Sequence, residues 1–263
     1  MKFSSRPHVL SKKLDEVFGG LTHAMLFIGQ YFRQLFNGPF EWREFIKQCY
    51  NIGVRSLLLI TLTGFVTGVV FTKQSRPSLI EFGAASWLPS LIAIAVVRAL
   101  APLVTALICS GKIGSNIGAE LGSMRVTEQI DAMEVSGTNP FKFLVVTRVT
   151  ATTVMIPILM MYFGFVALMG SFLNVHQNEA TSFVTFFQEA FSPITFLDIF
   201  TGLFKAIIYG FTIGLVGCYS GYNAEKGTEG VGMAANRAVI ISMFLVFIEE
   251  IVIVQISNWI RLA

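Results

Sequence analysis

Apolar positions along the chain fall in five long runs separated by short polar stretches. A hydrocarbon core of about 30 Å is crossed by roughly 20 apolar helical residues, and windows at 52–72, 87–110, 143–173, 196–217 and 239–259 meet that length. The pattern predicts an all-α integral membrane protein of five transmembrane helices, organised as one domain over 1–263. The third window is longer than the membrane requires, which predicts a tilt or a start outside it, and Pro157 predicts a kink where a backbone donor is missing. Ahead of the first window, Leu14, Val17, Phe18, Leu21, Met25, Ile28, Phe32 and Leu35 recur at three- and four-residue steps, with Lys13, Glu16, Gln30, Arg33 and Gln34 on other faces. That periodicity predicts an N-terminal amphipathic helix lying in the membrane interface. The alternative, a packed helix of a water-exposed region, lacks other apolar material from which to build a core. Gly38-Pro39 ends the helix, and 40–50, with Trp42 and Phe45 beside Glu41, Arg43 and Lys47, predicts an interfacial elbow into the first span.

Composition excludes a water-soluble domain: 54% of the 263 residues are hydrophobic, only 13% are charged, and 25 are Phe. Mean hydropathy is +0.67. The net charge of +3 is too small to suggest nucleic acid as a partner. Cys49, Cys109 and Cys218 lie far apart and fit no zinc or disulfide pattern, and His8, His23 and His176 are scattered, so no metal site is expected. The N-terminal stretch is basic without an apolar run behind it, unlike a cleavable signal peptide. With a cytoplasmic N-terminus, fourteen Lys and Arg fall on the inside, among them Arg55, Lys112, Arg125, Lys142, Arg148 and Arg237, against Lys73, Arg76 and Arg261 outside. The bias predicts that orientation, with the C-terminus on the far side because five is odd.

The stretch between the second and third windows, 110–140, with its loop at 111–142, is polar but patterned. Gly114, Gly118 and Gly122 repeat every four residues, which fits either a close helix-packing face or local flexibility. Thr127 then stands where a helix cap is expected, followed by Glu128, Gln129, Ile130, Asp131, Ala132, Met133 and Glu134, with Gly137 and Asn139-Pro140 as stops. A helix of two to three turns needs a docking surface. Ile130 and Met133 beside an acidic face suit a groove on a cytoplasmic partner, while a solvated loop helix closing the bundle is the plainer reading.

The run from Gly118 to Glu134, GAELGSMRVTEQIDAME, closely resembles the signature of the MlaE (YrbE) family, the permease subunits of ABC transporters that work with MCE-domain lipid-binding proteins. The resemblance extends over nearly the whole chain, including a Gly221-Tyr222-Asn223-Ala224 turn after the fourth span. It implies a homodimer bound to two copies of a cytoplasmic ATPase, with 127–136 as the coupling helix. It further implies phospholipid or a related lipid as cargo, passed between the inner membrane of a Gram-negative-type bacterium and a periplasmic MCE protein, and a role in outer-membrane lipid asymmetry. The chain contains no G-x-x-x-x-G-K-[ST] loop, so ATP and Mg are expected on the ATPase, with no cofactor here and no catalysis by this subunit.

Ionisable residues at bilayer depth cost several kcal/mol unless paired or wet, and each is a functional candidate. Arg98, Lys205, Glu249 and Glu250 fall inside spans. They fit either a structural ion-pair network or a polar substrate path in which Arg98 and Lys205 meet a headgroup phosphate. Where the family typically reads Arg-Glu-Leu-Gly-Pro, this chain reads Arg98-Ala-Leu-Ala-Pro102, so the acidic neighbour is absent and Glu249 or Glu250 is expected to supply the counter-charge to Arg98. Phe71, Leu79 and Phe82 are expected to form an outward-facing acyl-chain pocket with Lys73 and Arg76 at its mouth, though lipid-facing packing explains any single Phe equally well. Two other functions fit these features less well: an ion- or proton-coupled secondary transporter, against which five spans and no inverted repeat count, and a membrane scaffold, which needs no buried charges.

Overall fold

A computed structural model describes residues 9–179 and 181–262, with side chains described for 19–20, 22–178 and 181–259. The early stripe positions Leu14, Val17, Phe18 and Leu21 therefore lie outside the described side chains. Eleven α-helices are present among the described residues: α1 (Val9–Phe36), α2 (Trp42–Gly53), α3 (Leu57–Glu81), α4 (Leu88–Ala95), α5 (Ala101–Cys109), α6 (Ser115–Val126), α7 (Gln129–Val135), α8 (Thr147–Glu179), α9 (Phe183–Phe191), α10 (Phe196–Tyr222) and α11 (Thr228–Leu262). Five helical stretches are long and apolar enough to cross a membrane: Trp42–Glu81, Ala85–Val126, Phe141–Asn178, Phe196–Tyr222 and Thr228–Trp259. Each contains one of the five sequence windows.

The second span departs most from the hydropathy reading. The helix that carries the second window does not end near Ser110 but continues as α6 to Val126, so most of the expected polar loop is helix. Two five-residue π-turns, Val96–Leu100 and Ser110–Gly114, join α4, α5 and α6 into one rod. A third covers Phe141–Val146 at the start of the third span. The glycines of α6 explain why a polar segment stays packed. A methyl placed on Gly118 would stand 3.1 Å from the Ala234 carbonyl oxygen and 3.2 Å from Cα of Ala235, both on α11. The repeat is thus a packing face, and α10 answers it, since a methyl on Gly221 would meet the Gly118 backbone at 2.8 Å. The same device joins α3 to α8, where Gly68 lies under the Ala167 carbonyl and Gly170 under that of Phe65.

At the end of the bundle that carries 37–41, 127–140 and 223–227, α1 docks through an aromatic cluster. Phe27 sets its ring 4.9 Å from Phe141 and 5.3 Å from Tyr219, and Tyr31 lies 5.5 Å from Phe211. The Tyr31 hydroxyl is 3.2 Å from Thr150 Oγ1, and burial raises its pKa above the usual phenol value, keeping the proton in place. Phe27 and Tyr31 are not on the expected apolar stripe, whose Met25 and Phe32 are exposed. The helix therefore has two apolar faces, one against the bundle and one turned outward. Gly38, at φ +79°, reverses the chain into α2, as Gly38-Pro39 predicts.

The opposite end carries 82–87 and α9, a short amphipathic helix that the sequence reading did not include. Ser182 caps α9 by accepting from the Thr185 N–H at 3.2 Å, and Phe186 and Ala190 are buried beneath it.

Because Gly68 faces backbone rather than a movable side chain, Gly68→Ala is expected to destabilise the protein by about 1–3 kcal/mol. Gly232→Ala, with nothing within 4 Å of the new methyl, should be neutral or better. Thermal melts of both variants in detergent check the contrast.

Candidate functional site

Three of the four intramembrane charges predicted from the sequence come together, joined by a fourth that was not. Thr195 caps α10 and places Asp198 at the third position of the first turn, where its Oδ2 accepts from the Thr195 N–H at 3.0 Å and from Thr195 Oγ1 at 2.9 Å. The same carboxylate grips Arg98: Nη2 donates to Oδ2 at 2.9 Å and Nε lies 2.9 Å from Oδ1. Asp198 is fully buried while the Arg98 side chain is 35% exposed. Asp198, not Glu249 or Glu250, is therefore the counter-charge to Arg98. The expectation failed because Asp198 sits at the mouth of its span, where Thr-x-x-Asp reads as a helix start. An arginine without an acidic neighbour was the signal that a distant carboxylate was needed.

One layer deeper, Lys205 Nζ donates to Glu250 Oε1 at 2.7 Å, with only 4% and 14% of the two side chains exposed. Tyr209, one turn after Lys205, donates its hydroxyl to the other oxygen of Glu250. Lys205 also donates to the backbone carbonyl of Arg98 at 3.2 Å. That carbonyl lies four residues before Pro102, which has no N–H to give it, so the proline frees an acceptor and a lysine from another helix takes it. The π-turn Val96–Leu100, whose five-residue bond runs from the Ala101 N–H to the Val96 carbonyl, presents Arg98 at this bend. The network thus ties the second, fourth and fifth spans together. Glu249 is separate: its Oε1 accepts from Thr212 at 2.5 Å, and its buried Oε2 has no partner among the described residues.

Beside this network an apolar crevice of about 450 Å³ runs between the second, third and fourth spans and under α9, lined by Val97, Met160, Phe165, Phe187, Ile199 and Leu203. Val97 and Ile199 are the chain neighbours of Arg98 and Asp198. A larger cleft of about 980 Å³ opens at the α9 end between Phe71, Trp87, Ser90, Ile94, Gln188 and Glu189. Of the three residues expected to form one pocket, only Phe71 lines this cleft; Leu79 packs partly buried on the core, and Phe82 is 83% exposed. Lys73 and Arg76 are not at its mouth either. They line another hollow with Pro77 and Asn174, because α3 turns its charged and its aromatic positions to different neighbours.

A helix is present where the loop helix was expected, but it is shorter, Gln129–Val135. Thr127 does not cap it: its hydroxyl donates to the Ser123 carbonyl at 2.8 Å and it closes α6, while Glu128 at φ +58° makes the reversal. Arg125 braces that reversal through an ion pair with Asp131 at 2.6 Å. Ile130 is 1% exposed and Met133 partly buried on this chain's own core, so neither is a free anchor for a partner. The outward face consists of Glu128, Gln129, Asp131, Ala132, Glu134 and Val135. A further ion pair, unforeseen in sequence, joins Glu120 of the signature run to the buried Arg148 at 2.8 Å. Among the described residues no three of His, Cys, Asp and Glu gather as a metal-ligand set.

Five spans enclosing paired charges, with apolar crevices beside them and a structured loop helix at one end, define a polytopic membrane protein of the transporter-subunit class. Residues 45–256 match the family model described as Permease MlaE, and the chain belongs to the MlaE permease family. It is 34% identical to a probable ABC transporter permease protein of Rickettsia prowazekii over 80% of this chain and 82% of that one. A probable ABC transporter permease protein of Synechocystis is 33% identical over 89% of each chain. The chloroplastic protein TRIGALACTOSYLDIACYLGLYCEROL 1 of Arabidopsis thaliana is 29% identical over 86% of this chain and 64% of its own length.

Removing one partner of the outer pair leaves the other uncompensated. Asp198→Ala is expected to cost about 2–3 kcal/mol, discounted for the partial exposure of Arg98. The double variant Arg98→Met with Asp198→Leu should recover most of that loss, as read by melting temperature and by monodispersity in detergent.

Proposed function

We propose that this permease subunit moves phospholipids or related glycerolipids across or out of the inner membrane, driven by a separate ATPase. The observation that carries the reading is the pairing of two environments in one place: a bilayer-depth network of Arg98, Asp198, Lys205, Tyr209 and Glu250, and an apolar crevice whose wall includes the immediate neighbours of Arg98 and Asp198. A lipid needs both, polar partners for its headgroup and an apolar track for its chains. Cations at this depth suit a phosphate, and Arg98, which keeps part of its side chain exposed, has donors left to offer. Glu249, with one oxygen unpartnered among the described residues, belongs to the same path. Phe71 and its cleft form the remaining part of the acyl pocket at the far end.

Membership of the family supports the following reading of the rest of the assembly. Two copies of this chain pair as a homodimer, each bound to a cytoplasmic ATPase that carries ATP and Mg, and a periplasmic MCE protein receives or delivers the lipid. The Arabidopsis relative bears the name of a galactosyl glycerolipid, which supports lipid cargo over an ion. The relatives' description as ABC transporter permeases favours ATP-driven transport over an ion-coupled carrier or a scaffold. The basic bias supports a cytoplasmic N-terminus and α7 and a periplasmic C-terminus. In that orientation α1 lies in the inner interface, and α7 offers the ATPase an acidic face at Glu128 and Glu134.

The reading is tested by affinity purification from native membranes in mild detergent, followed by mass spectrometry of proteins and lipids. Stoichiometric ATPase and MCE protein with bound glycerolipid are expected; recovery of the intact oligomer without ATPase or lipid overturns it. Glu128→Lys with Glu134→Lys leaves the Arg125–Asp131 brace intact and should reduce ATPase recovery at least about tenfold, several opposed charges being reversed at once. Unchanged recovery removes α7 from the coupling role.

A further inference from the structure

A polar cavity of about 320 Å³ lies at the α7 end of the bundle, between the first and second spans, and shares no lining residue with the Lys205 network. Arg55, Ser56, Lys112, Asn51, Asn116 and Glu120 line it. Two departures from α geometry meet here: the 3-10 turn Val54–Ser56 between α2 and α3, and the π-turn Ser110–Gly114. Across the gap, Lys112 Nζ donates to the Arg55 backbone carbonyl. Neither the Arg55 guanidinium nor the Lys112 ammonium has a carboxylate within ion-pairing distance among the described residues. The one carboxylate on the wall, Glu120, is held by the buried Arg148 at 2.8 Å, and the nearby Glu44 is engaged by Gln48 at 2.7 Å and Lys47 at 3.3 Å. The Ser56 hydroxyl is the sharper anomaly. Ser56 is 1% exposed and lines the cavity, yet its oxygen has no hydrogen-bond partner among the described residues. A buried hydroxyl without a partner is destabilising, and a ligand oxygen would supply the missing acceptor.

Two uncompensated cations, an unpartnered hydroxyl and side-chain amides converging on one small hollow match a tetrahedral oxyanion with several acceptors. The α3 surface adds a direction. Leu58, Leu62 and Val66 are 83%, 63% and 50% exposed and continue the Arg55 face at helical spacing into the span. From this we infer that the cavity is a phosphate site, filled by the headgroup of a glycerophospholipid whose chains lie along Leu58, Leu62 and Val66. A soluble phosphate anion offers the same acceptors without the apolar stripe. The site does not depend on the direction of transport or on the identity of the ATPase, and it is distinct from the Arg98–Lys205 network.

The test is native mass spectrometry of the purified full chain titrated with phosphatidylglycerol, with diacylglycerol of the same chains, and with inorganic phosphate. Wild-type protein is expected to bind one more phosphatidylglycerol than the Arg55→Gln plus Lys112→Gln variant, at least about tenfold more tightly than diacylglycerol, with Arg55→Lys retaining most of that preference. Displacement of phosphatidylglycerol by inorganic phosphate alone assigns the site to a soluble anion and overturns the lipid. Equal affinity for the two lipids, or an unchanged preference in the double variant, overturns the phosphate site. If the double variant does not fold, Ser56→Ala decides: losing an unpartnered buried hydroxyl should leave the melting temperature unchanged or raised while phosphatidylglycerol binding weakens several-fold, and unchanged binding overturns the site. Loss of this binding while lipid still co-purifies with Arg98 and Lys205 intact separates this inference from the transport reading.

Discussion

Charge that must be neutralised inside hydrocarbon is the constraint on which the rest of this structure depends. Arg98 and Lys205 cannot face acyl chains without partners, and their partners come from other helices: Asp198 and Glu250. A buried ion pair is poor as a source of stability, because apolar residues of similar volume often do as well. What the pairs supply is position. Asp198 is fixed by the cap of α10, so Arg98 is fixed with it. Lys205 reads both the Glu250 carboxylate and the carbonyl that Pro102 leaves open, so the bend in the second span is locked to the fourth and fifth. The proline, the π-turn and the lysine form one arrangement, in which each irregularity of the backbone is satisfied by a side chain from elsewhere.

Close helix approach makes these reaches possible. In lipid there is little hydrophobic drive between helices, and association relies on contact between small residues. Gly118 against α11, Gly221 against α6 and Gly68 against α8 draw the backbones together at both ends of the bundle. Such spacing also explains why α6 is helical despite its polarity. Its Gly face is packed and its Glu120 is consumed by Arg148, leaving few groups that prefer water. The exposed Leu, Ile and Phe of α3 and α11 cost nothing in a bilayer, so the fifth span can remain mostly uncovered while still delivering Glu250 to the centre.

Hydropathy made the five spans legible because each window exceeds the length any buried soluble helix needs, and the Gly38-Pro39 break and the short loop helix were legible as turn and stop signals. Four features were not. The helical continuation of the second span to Val126 was not legible, since a polar helix packed through glycines has the composition of a loop. α9 was missed because Phe183–Phe191 is too short for a span, and its periodicity was lost between two long apolar runs. The partner of Arg98 was misassigned because pairing across about 100 residues leaves no local trace, and Asp198 already had an adequate local role as a capping residue. The Phe71, Leu79 and Phe82 grouping failed for a related reason: nearness in sequence does not place residues on one face of a helix.

The tertiary arrangement also changes what the loop helix can do. A free two-turn helix would be marginal in water, and the sequence alone invited a partner to hold it. In the structure, Ile130 is buried in the bundle and Asp131 is tied to Arg125, so α7 is already ordered by its own chain. Its outward face is left with acids and the exposed Val135 rather than a stripe of anchors. A partner gripping that face would therefore meet an element braced through Arg125 to α6, which is continuous with the span that carries Arg98. Movement imposed on α7 would be transmitted along a single helical rod interrupted only by its two π-turns, and one of those turns holds the arginine itself.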